Sequence, residues 1–349
     1  MSFSEFKTYS EQFRNMASLK GVPKKDIENL LGYAEKLWKN NLPVIYDQIH
    51  LAKLIGMDYD FLIGISNKPE KFYKQYDLPK RRGGFRTIME PLPSLKMAQE
   101  WILKEILYKS LPNGISKTAK AFLPGRSLLD NVKFHKNKPV VVNFDLEDFF
   151  GHISFRKVRN IFLEMGYAIP VSIFLANLCT VNDTLPQGAP TSPMLSNMVF
   201  KKLDDEIFRY CLEKKIMYSR YADDLTFSGN INIKGLKIFL KRRLKKEGYL
   251  INDKKTQIRN SNQRQTVTNI IVNEKIQTSR DFRRSLRQQT YYIKKFGLEH
   301  QATLQANKTG IRFAPETYLQ HLKGQIGYAL FINPKDKEMA TYRDFLSNL

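Results

Sequence analysis

Apolar residues in the first part of the chain recur at helical spacing. Residues 23–39 begin with Pro23, a favourable first-turn residue, and place six apolar side chains on one face. These are Ile27, Leu30, Leu31, Ala34, Leu37 and Trp38. Further helical sequence continues to about residue 66. The pattern then changes, because residues 72–91 predict two strands joined at Gly83-Gly84, with basic residues on both arms.

Predicted helices and strands alternate over the rest of the chain. An apolar stretch rich in valine starts at Pro139 and runs into an acidic turn before Ile153. The other predicted elements are helices at 95–110, 154–165, 170–180, 192–214 and 234–247, a hairpin centred on Asp223-Asp224, short strands near 249–277 and helical sequence from about 279 to the end. This order predicts an α+β protein.

Net charge is the unusual feature of the composition. The 349 residues include 57 Lys and Arg but only 34 Asp and Glu, giving +23 and a pI near 9.8. A field of this sign attracts polyanions, so a nucleic acid is the expected partner. Hydrophobic residues at 42% and charged residues at 26% are typical of a globular protein rather than a disordered one.

Cysteine usage and hydropathy predict a soluble cytoplasmic protein with no membrane partner. Cys179 and Cys211 stand in unrelated contexts and form neither a metal-spaced pair nor a disulfide framework. The polar N-terminal sequence is not typical of a signal peptide. No apolar run approaches the roughly 20 residues needed to cross a bilayer.

Three aspartates carry the strongest chemical signal. An adjacent pair at a tight hairpin, Asp223-Asp224, is by itself more often a solvated polar turn than a site. Asp145 changes this interpretation, because it lies where the valine-rich strand ends. Carboxylates from two neighbouring strands could hold two Mg²⁺ ions, which prefer oxygen ligands and catalyse phosphoryl transfer without a covalent nucleophile.

Four blocks in order resemble the palm of a reverse transcriptase. They are Phe-Asp-Leu-Glu-Asp-Phe-Phe at 144–150, Leu-Pro-Gln-Gly-Ala-Pro-Thr-Ser-Pro at 185–193, Tyr-Ala-Asp-Asp at 221–224, and Gly248 with Asn-Asp-Lys-Lys-Thr at 252–256. The resemblance covers about residues 73–273. It implies a right-hand polymerase fold with an N-terminal helical region at 1–70, fingers at 71–138, an antiparallel palm at 139–274 and a helical thumb at 275–349.

The resemblance also implies roles for individual residues. Asp145, Asp223 and Asp224 would be the catalytic metal ligands, with the Leu146 carbonyl as a further donor. Phe150 would exclude a 2′-hydroxyl from the nucleotide pocket, although core packing is the alternative and Phe149 competes for the role. The remaining nucleotide contacts would be Gln187, the close backbone approach at Gly188, Arg86 with Lys80 on the triphosphate, and Lys255 or Lys254 as proton donor to pyrophosphate. Solvated hairpin charges are the alternative for Lys80 and Arg86.

Two further elements resemble the bacterial retron reverse transcriptases. Asn131 and His135 match their Asn-Ala-x-x-His element, with Val132 in place of Ala. Val267, Thr268 and Asn269 match their Val-Thr-Gly element, with Asn in place of Gly. Asn tolerates a left-handed backbone better than most residues. Both elements would bind RNA or primer, and the alternative for His135 is a helix histidine packed against the palm.

Retron identity would imply a specific reaction. The enzyme would copy a cognate structured noncoding RNA with dNTPs, starting from an internal guanosine 2′-hydroxyl. Its product would be branched RNA-linked single-stranded DNA (msDNA), in an anti-phage system often having a separate effector protein. The alternatives are a group II intron-like or other defence-associated reverse transcriptase without 2′-hydroxyl priming, and a non-catalytic RNA-binding protein.

The C-terminal segment carries a basic stripe. Arg280, Arg283, Arg284 and Arg287 fall on one helical face with aromatic residues nearby, a pattern that favours binding to RNA or a duplex. A solvated helix face is the alternative. About 75 residues (349 minus 274) follow the palm. That length would hold a helical thumb and no separate RNase H or endonuclease domain.

Overall fold

A computed structural model of the protein describes residues 3–80, 83–111, 114–310 and 314–349. It contains fourteen α-helices and eight strands within those residues. The helices are α1 (Phe3–Leu19), α2 (Lys24–Lys39), α3 (Gln48–Ile55), α4 (Tyr59–Asn67), α5 (Pro93–Trp101), α6 (Leu128–Val132), α7 (Phe155–Met165), α8 (Ile169–Cys179), α9 (Ser192–Glu213), α10 (Ile233–Lys246), α11 (Arg280–Phe296), α12 (Leu298–Thr309), α13 (Pro315–Ile332) and α14 (Lys337–Ser347). The strands are β1 (Tyr73–Pro79), β2 (Phe85–Pro91), β3 (Val140–Asp145), β4 (Met217–Tyr221), β5 (Asp224–Gly229), β6 (Gln257–Asn260), β7 (Thr266–Val267) and β8 (Ile270–Ile271).

The chain divides into two compact units. The first unit comprises residues 1–124, 146–210 and 237–252, and the second comprises residues 125–145, 211–236 and 253–349. None of the helices described in either unit is both long and apolar enough to cross a membrane.

The first unit is built around α8. This helix is mostly apolar and packs against α3, α4, α5 and α7, which explains why seven of its eleven residues are buried. The hairpin predicted at 72–91 is present as antiparallel β1 and β2, although the charged residues 81–82 lie outside the described part of the chain. Two predictions were wrong in detail. Leu30 is exposed, and the helix that starts at Pro93 changes to a π-helical turn at 102–107.

The second unit contains the four-stranded antiparallel sheet, in the order β4-β5-β3-β6. Because side chains alternate along a strand, one face of the sheet carries Phe144, Leu225 and Phe227, whose side chains are fully buried. The opposite face carries Asp145 and Asp224 at one end. Away from those carboxylates, the same face is covered at Val141 by residues of α6, the β7–β8 hairpin and the end of α13.

The last four helices, α11 to α14, share a separate apolar core in the second unit. Its buried members are Leu286, Ile293, Ala302, Tyr318, Leu319, Leu322, Ile326, Ala329, Met339 and Leu346. The helical C-terminal segment predicted from the sequence is therefore present and packed.

Candidate active site

The two strands at the centre of the sheet bring the three predicted aspartates together. Asp145 is the last residue of β3 and pairs directly with Asp224, the first residue of β5. The turn of the β4–β5 hairpin consists of Ala222 and Asp223, so it lies one residue earlier than the sequence predicts. Since residues that pair across antiparallel strands share a face, the Asp145 and Asp224 side chains lie side by side.

Burial and like charge act together on Asp224. Its pKa is raised to about 7, first by burial and then by the neighbouring charges of Asp223 and Asp145, while Lys255 acts in the opposite direction. The Lys255 ammonium donates a hydrogen bond to Asp145 Oδ1 at 2.8 Å. Of the two lysines proposed as proton donor, Lys255 is thus the one placed at the carboxylates.

An internal arginine supports the hairpin turn. Ala222 has φ of +56°, a left-handed conformation that is uncommon for a residue with a side chain and is frequent at functional sites. Arg220 is fully buried, and its Nη1 donates to the Ala222 carbonyl at 2.9 Å. Sequence reasoning missed Arg220, because nothing in the residue order distinguishes a buried arginine from a surface one.

The donor set fits a divalent cation by its chemistry. The group contains three carboxylates, and hard oxygen ligands are those that Mg²⁺ and similar ions take. In their present rotamers, however, no three carboxylate, imidazole or thiolate groups of the described residues are close enough together to hold one ion. Leu146, the predicted carbonyl donor, follows Asp145 directly; its side chain is buried and its backbone forms a bridge with Ile251.

In the first unit, the Gln187-Gly188 loop is hydrogen-bonded to the β1–β2 hairpin. The Met89 amide of β2 donates to the Gln187 carbonyl at 2.7 Å. Gly188 has φ of +132°, and a Cβ there would lie 2.6 Å from the Met89 carbonyl oxygen. The sequence predicted a close backbone approach of Gly188 to a nucleotide, and the structure shows such an approach to β2.

Two basic residues, Arg86 on β2 and Lys80 after β1, lie near the turn of the β1–β2 hairpin. Both are exposed, so their charges are accessible. The Lys80 amide donates to the Gly84 carbonyl at 2.9 Å, which closes the hairpin.

Two adjacent phenylalanines differ clearly in environment. Phe149 is 2% exposed and packs against Phe150, Phe200 and Tyr249, with ring centroids 5.5, 5.6 and 5.9 Å away, respectively. Phe150 is only half-buried. Core packing therefore accounts for Phe149, and Phe150 is the ring with a surface left for a ligand.

The Asn131 and His135 element lies inside the second unit. Both residues are 0% exposed, and the His135 ring contacts the hydroxyls of Ser228 and Ser219. The sequence predicted that these two side chains contact RNA. In the structure both are fully buried, so neither side chain presents a surface for that contact. Thr268 and Asn269 form the two-residue turn of the β7–β8 hairpin, with φ of +46° and +65°, and Asn269 is exposed while Val267 is buried.

The arginine stripe of α11 is only partly available. Arg287 forms a two-point ion pair with Glu338 at 2.5 and 3.0 Å, and Arg283 lies 3.6 Å from Asp336. These acids lie at or just before the start of α14, about 50 residues further along the chain. Two of the four arginines predicted to bind RNA or a duplex, Arg283 and Arg287, are therefore paired with acids of the same chain. Among the described residues Arg280 and Arg284 form no ion pair, and both are exposed.

Comparison with known proteins now adds to this geometry. A family model described as reverse transcriptase (RNA-dependent DNA polymerase) matches residues 78–273, more than half of the chain. The retron Mx65 reverse transcriptase of Myxococcus xanthus is 30% identical over 91% of this chain and 76% of its own length. The retron Ec86 reverse transcriptase of Escherichia coli is 33% identical over 72% of this chain and 79% of its own.

These matches confirm the predicted α+β fold of a right-hand polymerase. The matched family, the reverse transcriptases, works with divalent metal ions and copies an RNA template. The paired aspartates of β3 and β5 fall within the matched region. The chain belongs to the retron reverse transcriptases and is an RNA-directed DNA polymerase.

Proposed function

We propose that this enzyme reverse transcribes a cognate noncoding RNA, primed from an internal guanosine 2′-hydroxyl, to make branched msDNA. Relatives that carry the retron name over most of the chain support this proposal. The observation that carries its chemistry is the direct pairing of Asp145 with Asp224, beside Asp223. A role in anti-phage defence, with a separate effector protein, completes the proposal and rests on the family resemblance alone.

The catalytic centre is assigned to Asp145, Asp223 and Asp224. These carboxylates, with the Leu146 carbonyl, would hold two Mg²⁺ ions. When bound, the ions lower the pKa of the attacking hydroxyl and stabilise charge on the departing pyrophosphate. Lys255, already hydrogen-bonded to Asp145, is placed to supply a proton near the same carboxylates.

The incoming dNTP is assigned to residues of the first unit. Gln187 and Gly188 would contact the nucleotide from a loop whose position β2 fixes through Met89. Phe150, the accessible ring of the pair, would exclude a 2′-hydroxyl. Arg86 and Lys80 would bind the triphosphate, since an arginine fork suits phosphate geometry.

The RNA and its DNA product are assigned to exposed groups of the second unit. Arg280 and Arg284 on α11 and the Thr268-Asn269 turn present accessible polar surface. In this proposal residues 1–70 are an N-terminal helical region, 71–138 the fingers, 139–274 the palm and 275–349 the thumb.

One pair of variants tests the catalytic assignment. Asp223→Asn and Asp224→Asn keep the side-chain shape but remove a negative charge, so we expect each to abolish synthesis on a poly(rA) template with an oligo(dT) primer. Binding of that template–primer should remain close to wild type. Asp344→Asn, an exposed aspartate on α14, is the matched control. Undiminished synthesis by either catalytic variant would refute the assignment of the metal ligands.

The nature of the product tests the retron part. The protein is purified from its host with bound nucleic acid, which is sequenced before and after debranching. A DNA that becomes linear only on debranching supports 2′-hydroxyl priming. DNA without an RNA branch would instead favour the alternative, a group II intron-like or other defence-associated reverse transcriptase.

A further inference from the structure

The sheet face that carries the aspartates continues inward as polar rows. Asn143, Thr226 and Ser219 lie side by side in the row next to Asp145 and Asp224. Ser228 follows one row further, opposite Val141. Ser219, Thr226 and Ser228 are at most 1% exposed. Hydroxyls buried at this depth are costly unless they are hydrogen-bonded, so their partners need an explanation.

A single imidazole connects the two strands of the catalytic hairpin. His135 Nδ1 lies 2.7 Å from Ser228 Oγ on β5, and Nε2 lies 2.8 Å from Ser219 Oγ on β4. Ser219 donates its only hydroxyl proton to Asn131 Oδ1 at 2.6 Å. His135 Nε2 therefore donates to Ser219, and Ser228 donates to Nδ1. This order of donors satisfies both ring nitrogens of a neutral histidine.

The two serines bound by His135 flank the predicted catalytic aspartates along the chain. Ser219 precedes Asp223 by four residues, and Ser228 follows Asp224 by four residues. A group that is hydrogen-bonded to both hydroxyls holds β4 and β5 in one register. It thereby also fixes the turn that connects the two strands. Asn143 of β3 links β5 to β7. Its side chain accepts a hydrogen bond from Thr226 of β5 at 3.0 Å and donates one to the Thr266 carbonyl of β7 at 2.9 Å.

We propose that His135, whose bond to Ser219 is directed by Asn131 through the Ser219 hydroxyl, is a positioning residue for DNA synthesis: it holds the β4–β5 hairpin in the register that brings Asp223 and Asp224 to Asp145. This role replaces direct RNA contact, which burial excludes for the side chain as it stands. The inference rests on the proposed catalytic assignment of the three aspartates. An apolar residue could fill the same volume, but it would leave two buried serine hydroxyls without their ring partner.

Three variants at this position test the proposal on the full chain. His135→Phe fills the space and removes both hydrogen bonds, whereas His135→Gln can restore the Ser219 bond and His135→Asn the Ser228 bond. With poly(rA), oligo(dT) and dTTP, we expect kcat of the Phe variant to fall about 10- to 100-fold, as when other supporting residues are removed. KM for dTTP and Kd for the template–primer should stay within about twofold. The Gln or Asn variant should recover part of kcat.

A destabilised control separates positioning from stability. Thr290→Val removes another fully buried hydroxyl of the second unit, on α11, which bonds only within its own helix. If kcat corrected for the folded fraction falls equally in Thr290→Val and His135→Phe, the proposal is wrong and His135 is merely structural. A rise in template–primer Kd with normal kcat at saturation would also overturn it, in favour of an RNA contact.

The serines provide a second route if His135→Phe does not fold. Ser219→Ala and Ser228→Ala each remove one end of the bridge, and each should lower kcat. Because both act through one ring, their effects should be less than additive in the double variant. Full kcat in both single variants would overturn the proposal. If Asp223→Asn stays active, the proposed function itself fails; if only the His135 and serine variants stay active, this inference alone fails.

Discussion

The second unit contains two groups of like charge, the aspartates at the end of the sheet and the arginines of α11, which differ in how they are paired. At the end of the sheet, Lys255 is hydrogen-bonded to Asp145, yet burial and the charges of Asp223 and Asp145 still raise the pKa of Asp224 to about 7. Along α11, two of the four arginines are paired with acids from the start of α14. The first group therefore still disfavours the charge on Asp224, whereas half of the arginines in the second are neutralised within the chain.

The difference helps to separate function from structure. Like charges that raise a carboxyl pKa on folding disfavour its charged form, and such shifts are frequent at sites that bind a ligand of opposite sign. Charges that the chain itself compensates contribute modestly to stability and give no such indication. By this criterion Asp224 is the candidate to bind a cation, and among the four arginines of α11 the candidates to bind an anionic partner are Arg280 and Arg284.

The largest effect should come from removing the charge of Asp224, whose pKa is raised. In the presence of a chelator at pH 8, we expect Asp224→Asn to raise Tm by about 2–5 °C, since the variant relieves repulsion and charge burial. Addition of Mg²⁺ should raise Tm of the wild type and change that of the variant much less. Differential scanning calorimetry measures both.

The pH dependence of stability provides a further test of the predicted stabilisation by Asp224→Asn. A carboxyl whose pKa is raised on folding binds its proton more tightly in the folded state, so the metal-free wild type loses stability as pH rises from about 4 to about 7. Above that range the penalty is complete and constant. The Tm difference between Asp224→Asn and wild type should therefore grow over this window and then level off. A constant difference across the window would contradict the electrostatic explanation.

A smaller effect should distinguish the arginines of α11. Arg284→Gln should weaken binding of the template–primer and reduce the slope of log K against log salt by about one, if Arg284 contacts a phosphate. Arg287→Gln is the matched control, since that guanidinium is bound to Glu338. Equal loss of slope in both variants would show that the internal ion pair does not withdraw Arg287 from RNA.

The sequence was sufficient where a feature depends on neighbouring residues. The position of Asp145 follows from the apolar strand before it, and the β4–β5 hairpin follows from its local pattern, within one residue at the turn. Features that depend on distant residues were missed. The partners of His135 lie 84 and 93 residues away, and Arg287 meets an acid 51 residues away. Periodicity carries no information about such pairs.

The burial of individual polar residues could likewise not be predicted from the sequence. Arg220 and His135 belong to types that are usually exposed or half-exposed, yet both are fully enclosed and hydrogen-bonded. Their position becomes clear only when the sheet register is known. The choice of Phe150 over Phe149 as the accessible ring depended in the same way on which of two adjacent aromatics packs against Phe200 and Tyr249.

The smallest effect, and the most direct test of the comparison, uses the same chemical change in the compensated group. Asp336 caps α14 by accepting from the Met339 amide at 3.3 Å and lies 3.6 Å from Arg283. Asn caps a helix about as well as Asp, so Asp336→Asn isolates the ion pair. We expect the free energy of unfolding to fall by about 0.5–1 kcal/mol, with DNA synthesis unchanged.

The change from Asp to Asn would thus stabilise the protein and abolish its activity at position 224, but destabilise the protein and leave its activity intact at position 336. The same sign of stability change at both positions in urea unfolding would show that compensation by the chain does not separate the two groups.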